Sequence, residues 1–151
     1  STTLSIAAAI VLIDQLSKAG LSAILVDGRS IPAITGILSL QLVHNSGAAF
    51  SLFSRSTELL GLLSLLVSLG ILVWIGRQRA IPFWQGLATA CLLGGTLGNG
   101  LDRWRLGYVV DFLALVPINF PIFNAADIAI NFAVLCFGID LWLNRHDGDH
   151  A

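Results

Sequence analysis

Leu59-Leu60-Gly61-Leu62-Leu63-Ser64-Leu65-Leu66-Val67-Ser68-Leu69-Gly70-Ile71-Leu72-Val73-Trp74-Ile75 contains no ionisable side chain. A helix of about 17–25 mostly apolar residues crosses the hydrocarbon layer of a bilayer. Lipid offers the backbone no hydrogen bonds, so a helix is the form such a run takes there. Three further runs of similar character cover about residues 4–26, 84–101 and 125–143. The sequence therefore predicts an all-α membrane protein with four transmembrane helices, built as one polytopic domain over residues 1–151.

Composition agrees. The chain is 56% hydrophobic and 11% charged, against about 25% charged in ordinary soluble domains. A net charge of −1 and the lack of any basic cluster give no case for nucleic acid. Cys91 and Cys136 each lie in an apolar run and read as buried thiols, without disulfide or metal-ligand spacing. His44, His146 and His150 form no metal constellation, and neither His-Glu-x-x-His nor Gly-x-Ser-x-Gly occurs. No metal or cofactor is expected. The first apolar run is too long for a cleavable signal peptide and leads into an ionisable pair, so it reads as a span.

Two connections are long. Residues 27–58 contain Pro32, Gly36 and Gly47, which argue against a further helix. Within them Ser39 and Gln41 alternate with Leu38, Leu40 and Leu42, the period of a strand or small β-sheet lying on the membrane surface. Residues 102–124, with Pro117 and Pro121, form a second connection too long and too apolar for a plain linker, and such loops are usually functional. Four spans place both termini on one side and both long connections on the other. Charge bias does not orient them: Arg77, Arg79 and Arg145 fall on one side, Arg29, Arg55, Arg103 and Arg105 on the other.

Two aspartates stand in short polar islands within this apolar chain: Asp111 in Gly107-Tyr-Val-Val-Asp-Phe112, and Asp127 in Phe123-Asn-Ala-Ala-Asp127. A carboxylate in lipid costs on the order of 2.5–3.5 kcal/mol at a helix centre, and a carboxylate pair is the minimal apparatus for acid/base peptide hydrolysis. Each has a plainer reading. Asp127 follows an Asn124 N-cap by three residues and fits a first-turn cap; Asp111 can be a polar residue bonded to loop backbone. Asn99, Asp102 and Arg103 follow Gly94 and Gly98, a small-xxx-small pair for close helix packing. Asp102 and Arg103 read either as a structural pair or as orienters of a dyad. Asp14 and Lys18, four apart, read as a helix-face ion pair. Rival classes are a small transporter or channel subunit with an intramembrane ion path, and a Ser/Lys peptidase using Lys18 with Ser17 or Ser22.

Five segments together resemble the lipoprotein signal peptidase (signal peptidase II) family: Asp14-Gln-Leu-Ser-Lys18; Asn45-Ser-Gly47-Ala-Ala-Phe50; Gly94-Gly-Thr-Leu-Gly-Asn99 with Asp102-Arg103; Gly107-Tyr-Val-Val-Asp111-Phe112; and Phe123-Asn124-Ala-Ala-Asp127 with Ile130. Ala133 stands where the family pattern has glycine. The resemblance implies an aspartic endopeptidase of the bacterial plasma (inner) membrane. It implies a prolipoprotein substrate carrying diacylglycerol on a cysteine, cut just before that cysteine. Asp111 and Asp127 would be the catalytic dyad, with Asp14, Lys18, Asn45, Gly47, Asn99, Asp102, Arg103 and Asn124 binding substrate or supporting. It further implies a monomer with cytoplasmic termini and an outward-facing site beside a long extracytoplasmic loop, in contact with membrane lipids. Inhibition by cyclic peptides such as globomycin is implied as well.

Overall fold

The computed structural model describes residues 1–47 and 56–148, the side chains of 146–148 excepted. Ala48, Ala49 and Phe50 of the second motif, and Arg55, lie outside the described residues. Seven elements follow in order: α1 (Thr2–Ile24), β1 (Ser30–Ile34), β2 (Leu38–Asn45), α2 (Thr57–Arg77), α3 (Phe83–Leu106), β3 (Val109–Leu115) and α4 (Ala125–Gly148).

Three helices, α1, α2 and α4, are long and apolar enough to cross a membrane. They turn leucines, isoleucines and valines outward: Leu16, Leu66 and Val134 are all well exposed, as suits surfaces facing lipid. α3 has the length but a more polar composition, and its position accounts for that. It packs against each of the other three helices, and Ala88, Thr89, Ala90, Leu93, Gly94, Gly95 and Gly98 are buried along it. A helix enclosed by helices needs small residues for close approach rather than large apolar ones for lipid. A Cβ on Gly95 would lie 2.6 Å from the Ala126 carbonyl oxygen of α4, and one on Gly98 2.6 Å from Asp14 Oδ2 of α1. α3 continues past residue 101 to Leu106 and stops at Gly107, whose φ of 78° supplies the left-handed cap. That extra turn carries Asp102 and Arg103.

The sheet is antiparallel with order β1-β2-β3. The expected strand is β2, but its alternation breaks. Leu40 pairs with Leu113 and Val43 with Asp111, so β2 holds one extra residue there. β3, which period-2 reasoning does not reveal, lies in the 102–124 connection; Val109, Val110, Asp111 and Phe112 are all buried in it. The chain then loops through Pro117 and Pro121, and Phe123 returns to β3 by hydrogen bonds with Phe112 and Leu113. Asp111 and Asn124 are thereby held on either side of one seam.

Candidate active site

α4 starts with a reciprocal cap. Asn124 Oδ1 accepts the Asp127 N–H at 3.0 Å, and Asp127 Oδ2 accepts the Asn124 N–H at 3.1 Å, a capping-box arrangement with aspartate at the third position. The capping reading of Asp127 is therefore correct as geometry. It accounts for only one carboxylate oxygen. Asp127 Oδ1 accepts from Asn99 Nδ2 at 2.8 Å.

Asp111 is reached from the opposite side. Asn124 Nδ2 donates to Asp111 Oδ1 at 2.7 Å. Asn45, at the end of β2 and diagonal to Asp111 across the ladder, donates to Oδ2 at 3.0 Å. Asn45 Oδ1 accepts the Gly47 N–H at 2.9 Å, which fixes which end of the amide faces Asp111. All four carboxylate oxygens thus receive an N–H from a neutral group.

Behind this layer lies a buried ionic cluster. Lys18 Nζ is 2.8 Å from Asp14 Oδ2, 3.0 Å from Asp102 Oδ2 and 3.1 Å from Asn99 Oδ1. An ammonium has three protons, and all three are used. Asn99 Oδ1 accepts from both Lys18 and Asn124, so its Nδ2 must be the group that meets Asp127. Asp14 Oδ1 accepts the Ala126 N–H at 2.9 Å, and Asp102 Oδ2 the Val110 N–H at 3.0 Å. The cluster ties α1, α3, β3 and the start of α4 together. A lysine so committed offers no free base, and the Ser17 hydroxyl donates to the Asp14 carbonyl, which removes support from a Ser/Lys peptidase.

Asp102 and Arg103 do not form a pair: neighbours on a helix point in different directions. Asp102 joins Lys18, while Arg103 Nη2 donates to the Gly47 carbonyl at 3.4 Å. Gln15 is the residue that sequence reasoning missed. Its Nε2 lies 3.0 Å from Asp102 Oδ1, 3.1 Å from the Gly98 carbonyl and 3.2 Å from Asp14 Oδ2. The available signal was an amide three residues before Lys18 on an otherwise apolar helix. Ala133 is 1% exposed and packs with Cys91 and Ala129, away from the polar network.

Asp111 and Asp127 line one cavity of about 610 Å³, with Asn45, Asn99 and Arg103 at its polar end and Ile130, Phe132 and Leu135 further along. Burial pushes the Asp111 carboxyl up from its ordinary value of 3.8 to about 7, and the charge of Asp127 acts in the same direction; the Asn45 and Asn124 donors and Lys18 oppose the shift. Two carboxylates in one apolar cavity can share a proton. The arrangement is suited to moving protons between a water and a carbonyl.

The family profile described as signal peptidase (SPase) II matches residues 6–143. The chain is 61% identical to the lipoprotein signal peptidase of Parasynechococcus marenigrum over 98% of its own length and 93% of that protein's. It is 55% identical to the one from a Synechococcus species over 89% of each chain. It is also similar to a bacterial membrane enzyme whose structure was obtained by the in meso method at 2.3 Å, with a TM-score of 0.89 and 26% identity over 97% of this chain and 90% of that one. A second such enzyme, at 1.9 Å, gives 0.83 and 27% over 93% and 92%.

Proposed function

Because the chain belongs to the signal peptidase II family, proteases of the membrane that remove signal peptides from prolipoproteins, we propose that it does so as an aspartic endopeptidase with Asp111 and Asp127 as its dyad. The observation that carries this reading is the convergence of both carboxylates on one cavity, each held by asparagine or backbone N–H groups and neither in an ion pair among the described residues.

Asp127, ionised, takes a proton from a water whose oxygen attacks the scissile carbonyl carbon. Asp111, protonated, gives its proton to the carbonyl oxygen. When the C–N bond breaks, the proton on Asp127 passes to the leaving nitrogen and the hydroxyl proton returns to Asp111. Asn45, Asn99 and Asn124 hold the two carboxyls in place. Asn45 and Arg103, at the polar end of the cavity, are suited to hold the peptide backbone. Asp14, Lys18 and Asp102 act behind them as positioning residues, with Gly47 joining Asn45 to Arg103.

This mechanism needs one proton on the dyad. A raised pKa means that Asp111 keeps its proton up to about pH 7 and loses it above. Cleavage is therefore expected to decline as pH rises through about 7, approaching tenfold per further pH unit. A plateau to pH 10 in initial rates on a lipidated substrate overturns the assignment of Asp111 as the acid.

The substrate reading is a prolipoprotein with diacylglycerol on its cysteine. Beyond Arg103 and the two aspartates, the described residues lining the cavity carry no charge with which to read peptide side chains. A lipid kept against the membrane holds the cysteine at the depth of the dyad; partition is worth about 0.8 kcal/mol per CH₂. The same prolipoprotein without lipid is expected to be cut at least 100-fold more slowly in the same micelles, the low end of what losing such an anchor implies (~3 kcal/mol). Equal rates move the reading to a general signal peptidase. On this view α3 is the fourth span, the termini are cytoplasmic in the inner membrane of a bacterium, the site faces outward, and the enzyme acts as a monomer. A cyclic peptide such as globomycin would compete for the cavity.

A further inference from the structure

Beyond the dyad, the surface of α4 is flanked by two channels, one carrying the amide of Asn131 among apolar side chains and the other wholly apolar. The catalytic cavity continues along one flank past Ile130 and Leu135. A separate groove of about 300 Å³ follows the other flank, between α4 and α1, walled by Ile10 and Ile13 and floored by Ala125 and Ala129. Ile128 and Phe132 border both. They are one helical turn apart, 51% and 43% exposed, and form a ridge between the channels. The groove runs from Ala125 to Phe132, about 10 Å along the helix axis, and begins two residues from Asp127. Among the described residues, none that lines it carries a charge or an amide.

We propose that the substrate's two acyl chains straddle this ridge, one in the lower catalytic cavity and the other in the α1–α4 groove. The inference rests on the diacylglyceryl reading of the substrate. A forked lipid meets a forked surface, and the shared wall of Ile128 and Phe132 sets the groove side by side with the catalytic cavity. Moving a chain from bilayer to groove gains no hydrophobic free energy, because both are apolar; what is gained is close packing over small side chains and a fixed orientation. The ridge thus sets where the glyceryl group, and the peptide bond beside it, stand relative to Asp127.

Two variants fill the groove from opposite walls: Ala129→Leu from its floor, and Ile13→Trp from α1, at a position 61% exposed where the fold does not depend on it. Each is assayed on one prolipoprotein carrying either two palmitoyl chains or a single one. With the two-chain substrate, kcat/KM is expected to fall about tenfold, the scale of a modest loss of orientation, to the wild-type value for the one-chain substrate, which itself stays unchanged. Equal losses on both substrates, or no loss on the two-chain one, overturn the proposal. Photo-crosslinking through a diazirine on the acyl chain, in Asp127→Asn so that substrate persists, is expected to label segments holding Ile13 and Ala129. Label confined to the outer face of α2 means that only bilayer lipid fills the groove, and overturns it too. A wild-type enzyme that requires lipid yet ignores the second chain defeats this inference alone; one that cuts lipidated and bare substrate equally defeats the substrate reading first.

Discussion

Cleavage of a lipidated prolipoprotein by Asp111→Asn or Asp127→Asn is expected to fall on the order of 10⁴-fold, the upper range for removing a general acid or base, while the protein stays folded in detergent. The structural cost of either change is small. Asparagine keeps the shape and one acceptor oxygen; its NH₂ meets one N–H donor, Asn45 or Asn124 at Asp111 and Asn99 or the Asn124 backbone at Asp127. Losing one such bond costs about 1–3 kcal/mol. Thermal unfolding and initial rates therefore separate the roles. The double variant is expected to be no slower than the worse single one, because the two groups act as a unit. If Asp127→Asn unfolds the protein while Asp111→Asn cuts normally, Asp127 is only a helix cap and the dyad does not exist.

Lys18→Met carries the largest expected effect on stability. Asp14 and Asp102 are 0% and 1% exposed and share the Lys18 ammonium. Removing it leaves two buried carboxylates with no cation between them, and breaking a buried pair from one side costs about 3–5 kcal/mol. Loss of folded protein in detergent, or a sharply lower Tm, is the expected outcome. Neutralising the whole cluster with Asp14→Asn, Lys18→Met and Asp102→Asn is expected to recover much of that stability, since no uncompensated charge remains. Activity stays low in the triple variant, because Asn99 keeps only one of the two donors, Lys18 and Asn124, that fix its amide. A Lys18→Met protein as stable as wild type shows that the cluster does not hold these elements together.

Much of this was legible in the sequence because lipid imposes simple rules. Runs of about 20 apolar residues mark the helices, and the carboxylates stranded among them mark the residues proposed as the dyad. The capping pattern at Asn124 and Asp127 is also visible, and the cap takes one oxygen of Asp127 while the other faces Asn99, so a cap and the proposed dyad are compatible. Other features depend on tertiary contacts that local patterns do not carry. The first four residues of β3, Val109 to Phe112, are buried on both faces, so the strand shows no alternation and reads as more apolar loop. Asp102 stands beside Arg103 in sequence yet pairs with Lys18, which lies on another helix. α3 is less apolar than its neighbours because it touches protein on every side, and hydropathy measures fitness for lipid, not centrality.

The extra residue in β2 has an effect out of proportion to its size. Side chains on a strand alternate between faces, so a one-residue offset exchanges which set looks at the neighbour. With the offset between Leu40 and Val43, Asp111 stands opposite Val43, and Asn45 shares its face. In an unbroken ladder Leu42 would stand there, and His44 would take the place of Asn45. An imidazole has a ring nitrogen that can take a proton and would stand beside Asp111, whereas an amide offers no such base. His44 instead lies on the opposite face, stacked on Tyr108 with ring centroids 4.3 Å apart. A single misaligned residue in a surface hairpin thus keeps a competing base out of the proton inventory of the site.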